Sequence, residues 1–397
     1  MRVTRTLRAT AGAALTGALL LAASGTASAD HTRKDLWPLK AFGAEQLWKE
    51  ATGKGVTVAV IDSGFRETHQ DLKGQFLPGP DFGKEAEAAG AKHLEEGEKD
   101  IRDHGTSMAS LIAGRGHGPG GSEGIKGLAP GAKLLPVPSF GRSAQATRWA
   151  VDHGADVLNM SYGGAEGGDM CDSISYALSK GVVVVASVGN EAMTRKSYPV
   201  GCPGVIGVGA VDEYGEAADF NNYNADTDLL APGVKIPAAG GTGDSSYRTS
   251  QGSSQAAAYV SAAVALLKEK FPDLTPGQIA NRLVKTAGLA PDEKDKHLKL
   301  PDPHYGYGFL QPGAALRKNI PAGAKEGPLP MPKGKPAQAG AASDADKGGD
   351  SGGSASGTNN ALLYGGIGLG ALVVVGGIVA AVVSARRRKN TGGQTWG

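Results

Sequence analysis

The sequence predicts an α/β protein of three layers, a mostly parallel sheet covered by helices on both faces. Three observations predict it. Short, continuous, valine-rich runs recur along the middle of the chain, such as residues 56–61 (VTVAVI) and 182–188 (VVVVASV); strands buried on both faces read as unbroken apolar runs. Helix-like segments alternate with these runs, which is the pattern of βαβ units. The right-handed crossover of such units then leaves a doubly wound layer as the natural topology.

Taken in order, residues 37–50 form an N-terminal arm with a short helix at 44–49, and Gly53 and Gly55 punctuate the chain before the first strand at 56–61. That strand ends abruptly at Asp62-Ser63-Gly64. Residues 82–102 are polar and rich in Glu and Lys, which suits a surface loop or helix. After Asp103-His104-Gly105-Thr106 comes a helix-like run over 107–113. Further strands are expected at 133–137, 155–160, 182–188 and 205–211, with crossover helices at 144–153 and 172–180. Residues 251–267 (QGSSQAAAYVSAAVALL) carry no charge, and a helix apolar on every face is one buried inside a domain. Thr275 before Pro276 marks the start of a last surface helix over 276–286, because proline suits the first helical position.

The ends of the chain have other characters. Residues 1–29 read as a secretory signal: Arg2, Arg5 and Arg8, an apolar stretch over 9–23, then Ala27-Ser28-Ala29 before Asp30. Residues 30–320 hold the folded domain. Residues 321–360 are rich in Pro, Gly, Ala and Ser and lack apolar periodicity, as a linker does. Residues 361–383 contain no charge; as a helix they would reach about 34 Å, enough for a bilayer core of about 30 Å. Arg386, Arg387, Arg388 and Lys389 follow in the basic tail 384–397. By the positive-inside rule the tail is cytoplasmic and the folded domain lies outside the cell, held by a single pass.

The net charge of +2 conceals an asymmetry. Between the basic ends the chain has 34 basic and 39 acidic residues, and a mildly acidic body argues against nucleic acid as a partner. Cys171 and Cys202 are the only cysteines. An even count in an exported chain favours one disulfide, two free thiols being the alternative. Neither cysteine has metal-ligand spacing to a histidine, and the acidic stretch 95–103 lacks calcium-ligand spacing. No metal or cofactor is assigned.

Functional groups in open α/β sheets collect beyond the carboxyl ends of the strands. Asp62 follows the first strand; Ser161, Tyr162 and Gly163 follow the one ending at Met160; Gly189 and Asn190 follow the one ending at Val188. His104 opens one helix and Ser254 another. The first N–H groups of a helix have no partners of their own, so a nucleophile at Ser254 has donors beside it for a developing oxyanion. Each residue also has a plainer role: Ser254 as a helix cap, Asp62 as a turn former, His104 as a cap or surface histidine, Asn190 in a left-handed turn. Together they supply nucleophile, base, base-orienting carboxylate and oxyanion donor, the set that acyl transfer needs.

These residues resemble the subtilisin-like serine proteases, whose triad runs in the chain order Asp, His, Ser. Residues 58–64 (VAVIDSG), 104–113 (HGTSMASLIA), 187–190 (SVGN) and 252–258 (GSSQAAA) are similar to that family's aspartate, histidine, oxyanion-asparagine and serine segments. Residues 150–164, 220–223 (FNNY) and 231–233 (APG) add to the likeness, which covers about 37–318. Signal, peptidase domain, linker and single span together look like the mycosins, the membrane-anchored proteases of type VII secretion.

The resemblance implies that Ser254 attacks the scissile carbonyl, His104 takes its proton and Asp62 orients the imidazole. The Asn190 amide and the Ser254 N–H would bind the oxyanion, and Ser161, Tyr162 and Gly163 would pair with the substrate backbone. It implies protein or peptide substrates, with membrane proteins of a secretion complex as further partners. Three residues depart from the pattern: Ser253, Gln255 and Ala258 stand where the family usually has Thr, Met and Pro. The segment 136–150 is short, which trims a loop bordering the distant substrate subsites. No long propeptide separates the signal from the Trp37 arm, so folding without a large cleaved chaperone segment is expected. The expected function is a serine endopeptidase with few substrates. The alternative, motivated by the span, the trimmed loop and Gln255, is a structural component of a membrane secretion complex in which proteolysis is secondary.

Overall fold

The computed structural model describes residues 32–80, 99–139, 141–165, 169–289 and 298–332. The expected signal (1–29), most of the linker, the span (361–383) and the tail (384–397) lie outside the described residues. Among the described residues no helix is long and apolar enough to cross a membrane.

In chain order the strands are β1 (Thr57–Asp62), β2 (Arg115–His117), β3 (Glu123–Lys126), β4 (Lys133–Pro138), β5 (Val157–Met160), β6 (Val183–Ser187), β7 (Ile206–Val211), β8 (Leu229–Pro232), β9 (Ile236–Ala239) and β10 (Tyr247–Ser250). The helices are α1 (Trp37–Phe42), α2 (Ala44–Leu47), α3 (Lys99–Ala113), α4 (Ser143–Asp152), α5 (Met170–Ser179), α6 (Ser253–Lys270), α7 (Pro276–Thr286) and α8 (Pro312–Arg317). Six strands form one parallel sheet in the order β4-β1-β5-β6-β7-β8. The chain leaves β1 for β4 on one side and returns to β5 on the other, so its direction of travel switches beside β1.

Alternate residues of each strand feed two cores. Val58, Val60, Val157, Val185 and Val208 pack with α3 and α6 on one face. Ala59, Ile61, Leu158, Met160 and Val184 pack with α4 and α5 on the other. With both faces covered, β5, β6, β7 and β8 are buried throughout, and strands of that kind read as unbroken apolar runs.

Helix α6 is buried from Ser253 to Leu267. Its alanines are small enough to let it lie close along the sheet, against β5, β6, β7 and β8. Tyr259 meets the Phe42 ring edge-on at 5.7 Å, tying the N-terminal arm to this helix. At its far end Glu269 Oε2 accepts three successive backbone N–H bonds, from Thr52, Gly53 and Lys54, at 2.6, 2.6 and 3.0 Å. That clamp fixes the turn feeding β1. Helix α7 begins at a capping box between Thr275 and Gln278, with Pro276 in the first turn.

Helix α3 begins at Lys99, so His104 lies in its second turn and does not open the helix as its sequence suggests. The helix has no apolar rhythm until it meets the core at Met108, Leu111 and Ile112, so the polar residues before it suit loop and helix alike. The hairpins β2–β3 and β9–β10 and the strand β8 also have no clear signal in the sequence.

Cys171 of α5 is joined to Cys202 in the loop before β7, with Cα atoms 5.2 Å apart and a sequence separation of 31. A loop of that length is worth about 3–4 kcal/mol on the chain-entropy model. The double variant Cys171→Ser, Cys202→Ser is expected to lower the denaturant midpoint accordingly, and an unchanged midpoint would contradict the estimate.

Asp228, 8% exposed, begins the β7–β8 pairing: its Oδ2 accepts the Gly207 N–H at 2.8 Å. Burial pushes its carboxyl up to about 7, against the pull of the Gly207 bond and with a further push from Asp226. The folded state therefore holds this proton more tightly than the unfolded chain. The stabilisation is full below the unfolded value of 3.8 and is lost as pH rises through about 7. Asp228→Asn, which keeps an acceptor for Gly207, is expected to raise Tm above pH 8 and to leave it nearly unchanged at pH 4. The full gap amounts to roughly 4 kcal/mol as an upper limit. A pH-independent effect in thermal melts would refute this account.

Candidate active site

Asp62 is the last residue of β1 and is 5% exposed. Val58, Val60 and Asp62 share a face of the strand, so the carboxylate points toward the layer that holds α3 and α6. Its Oδ1 accepts the Ser63 N–H at 2.8 Å and the Ser63 hydroxyl at 3.1 Å. His104 Nδ1 lies 2.9 Å from Oδ1 and 3.0 Å from Oδ2. Holding a proton on Nδ1 leaves the Nε2 lone pair to act as a base.

The neighbours of His104 explain how α3 comes so close to the end of β1. A side chain at Gly105 would bring its Cβ to 2.4 Å from the Gly64 carbonyl oxygen, so only glycine permits the approach. Thr106 Oγ1 accepts the Arg66 N–H at 2.7 Å and grips the loop that follows Asp62. Ser107 Oγ donates to the Ala239 carbonyl at 2.6 Å, anchoring the helix to β9.

Burial pulls the His104 pKa down, but the charge of Asp62 and the hydrogen bond to it outweigh that pull. The net position is above the ordinary imidazole value, with Arg248 opposing.

Ser254 sits in the first turn of α6, 8% exposed. Gly252 is the N-cap and no side chain caps the helix, so the Ser254 hydroxyl is not a cap. It donates instead to the Ser161 carbonyl at 3.1 Å, and the Ser161 hydroxyl donates back to the Ser254 carbonyl at 3.1 Å. Behind this pair runs a buried relay: Ser261 Oγ donates to Asn159 Oδ1, and Asn159 Nδ2 to Ser161 Oγ, both at 2.9 Å. The relay fixes α6 to the end of β5. Helices α3 and α6 pack against each other and both touch β1. The bond between Asp62 and His104 is therefore formed, while the Ser254 hydroxyl faces Ser161.

Asn190 lies in the turn after β6. Gly189 takes φ +106° there, and a Cβ on it would fall 2.1 Å from Asn222 Nδ2. Asn190 Oδ1 accepts the Ser253 N–H at 2.8 Å and the Ser253 hydroxyl at 2.9 Å. With the oxygen engaged by two donors, the NH2 group is the end left to donate; Asn190 also lines a cavity. Asn222 Oδ1 accepts the N–H groups of Glu191 and Met193 at 3.1 and 3.0 Å, so the loop is held from below.

Ser254, Asn190, Ser161, Tyr162 and Gly163 all line this cavity of about 230 Å³. Tyr162 and Gly163 also border a second, of about 490 Å³, with Arg142 and Met170. Sequence reasoning passed over Ser253, Asn159 and Ser261 as functional groups. A polar Asn inside the buried strand VLNM was the available signal for the relay; the clamp of Ser253 on Asn190 had none.

Residues 53–308 match the subtilase family, Peptidase S8. Fervidolysin of Fervidobacterium pennivorans is 36% identical over 333 residues, which is 74% of this chain and 45% of fervidolysin, so the chain spans less than half of that relative. Subtilisin Savinase of Lederbergia lenta is 34% identical over 249 residues, 59% of this chain and 84% of Savinase. Among solved structures, MycP1 from the ESX-1 type VII secretion system superimposes with a TM-score of 0.60 at 26% identity, covering 74% of this chain and 88% of MycP1. The chain belongs to the subtilase family of peptidases.

Proposed function

We propose that this chain is a serine endopeptidase, anchored outside the cell by residues 361–383, that processes few substrates in a type VII secretion setting. The observation that carries the reading is the arrangement at the sheet edge. An imidazole is held on a buried carboxylate, and a serine at the start of a buried helix lines one cavity with an asparagine amide whose oxygen is already engaged. The likeness to MycP1 and the apolar stretch before Arg386 support the membrane and secretion parts.

The chemistry follows from the atoms. Catalysis requires rotation about the Ser254 Cα–Cβ bond to swing its hydroxyl from the Ser161 carbonyl to His104 Nε2. The imidazole takes the proton as Oγ adds to the scissile carbonyl, and Asp62 stabilises the imidazolium. Negative charge then develops on the former carbonyl oxygen, where Asn190 Nδ2 and the Ser254 N–H meet it; such donors contribute most where water is excluded. His104 returns the proton to the leaving amine, and water hydrolyses the acyl-enzyme by the same steps. Released from Ser254, the Ser161 carbonyl can take a substrate N–H, as in strand addition.

The test is labelling of the purified chain with a fluorophosphonate, followed by mapping of the adduct. Modification confined to Ser254 supports the reading; no labelling, or labelling of another serine, rejects it.

A further inference from the structure

Gln255 follows Ser254 in α6 and is 3% exposed. Its Nε2 donates to Ser250 Oγ at 2.7 Å. The other end of the amide, Oε1, is buried and has no hydrogen-bond partner. A buried acceptor left in that state is costly, and its presence calls for an explanation. Gly252 locates it: a side chain there would bring its Cβ 3.0 Å from Gln255 Oε1 and 3.3 Å from Asn190 Nδ2. An acceptor and a donor therefore flank Gly252, two residues before the nucleophile.

That pairing fits the tetrahedral intermediate of an amide. Its central carbon carries an O⁻, which accepts, and a leaving nitrogen with an N–H, which donates. We propose that Gln255 is a further catalytic residue: its Oε1 accepts a hydrogen bond from the N–H of the departing amine while Asn190 Nδ2 holds the oxyanion. The inference rests on the serine-peptidase reading above. Fixing the N–H on Gln255 turns the nitrogen lone pair toward His104, which protonates it. The C–N bond then breaks, its electron pair leaves with the amine, and the oxyanion collapses to the carbonyl of the acyl-enzyme. An ester leaving group has no N–H, so Gln255 favours amide over ester cleavage.

The experiment compares kcat/KM for a peptide amide and for the ester of the same acyl group, in wild type and in Gln255→Met. Loss of one neutral hydrogen bond corresponds to about tenfold. The amide-to-ester ratio is expected to fall by about that factor, and Gln255→Glu, which keeps an acceptor at the same place, is expected to hold the ratio near wild type. Gln255→Leu serves if Gln255→Met does not fold, folding being read from the rate of fluorophosphonate labelling. An unchanged ratio in a variant that still labels overturns the role of Gln255 and leaves the peptidase reading standing. A wild-type chain that neither labels nor cleaves either substrate overturns the peptidase reading itself.

Discussion

Ser254→Ala is expected to lower kcat by about 10⁶-fold while leaving KM nearly unchanged, a magnitude known from subtilisin, a member of the same family, and not from this geometry. The reasoning is structural. The hydroxyl makes one hydrogen bond, to the Ser161 carbonyl, so its removal leaves α6, Asn190 and the cavity in place. What remains is the oxyanion site and substrate binding, worth about 10³–10⁴ over water. Single-turnover assays on a peptide, with thermal melts to verify folding, check the expectation. A variant that keeps more than a hundredth of wild-type turnover would remove Ser254 from the role of nucleophile. In cells the same variant separates the two readings of the sequence. If it supports secretion as well as wild type while deletion of the whole chain does not, the structural role outranks proteolysis.

The parts of the molecule that were legible in the sequence are those governed by local pattern. Strands β1, β5, β6 and β7 are visible because burial on both faces leaves valine-rich runs with nothing polar between them. Helix α6 is visible because burial on all sides leaves no charge before Lys268. Strand β8 (LLAP) was not: four residues ending in proline carry too little β signal, and its pairing with β7 is set by the fold around it. The start of α3 is not fixed by the sequence for the opposite reason: a polar lead-in has no apolar rhythm and suits loop and helix alike, and the helix is plain only where it touches the core. At the site, residue types at strand ends pointed to Asp62, Ser161 and Asn190. The direction in which a hydroxyl or an amide is turned depends on atoms far away in sequence. Ser253 sets the Asn190 amide across 63 residues, and Ser261 reaches Asn159 across 102; no local pattern encodes either.

Asp62→Asn is expected to lower kcat by about 10⁴-fold and, separately, to move the pH at which activity appears. The first effect follows from the tautomer. A carboxylate accepts from Nδ1–H and leaves Nε2 as a lone pair, whereas the amide of asparagine can donate to Nδ1 and leave the proton on Nε2, facing the serine. The second follows from the balance at His104, where burial lowers the pKa and the charge and hydrogen bond of Asp62 together raise it further. Base catalysis needs the neutral ring, so in wild type kcat/KM should rise with pH through a midpoint above the ordinary value of about 6.5. With Asp62 replaced, burial and Arg248 remain unopposed, and the residual activity should rise through a midpoint below that value. Stability runs in the opposite sense. A histidine whose folded pKa is raised stabilises fully below the unfolded value and loses that contribution as pH climbs through the folded one. The wild-type site is therefore least stabilised by this pair in the protonation state that does the work, and Asp62→Asn should reverse the slope of that part of the Tm–pH curve, stability then rising with pH through the lowered midpoint. A limb that stays at the same pH in the variant would mean that Asp62 does not set the base, whatever its effect on rate.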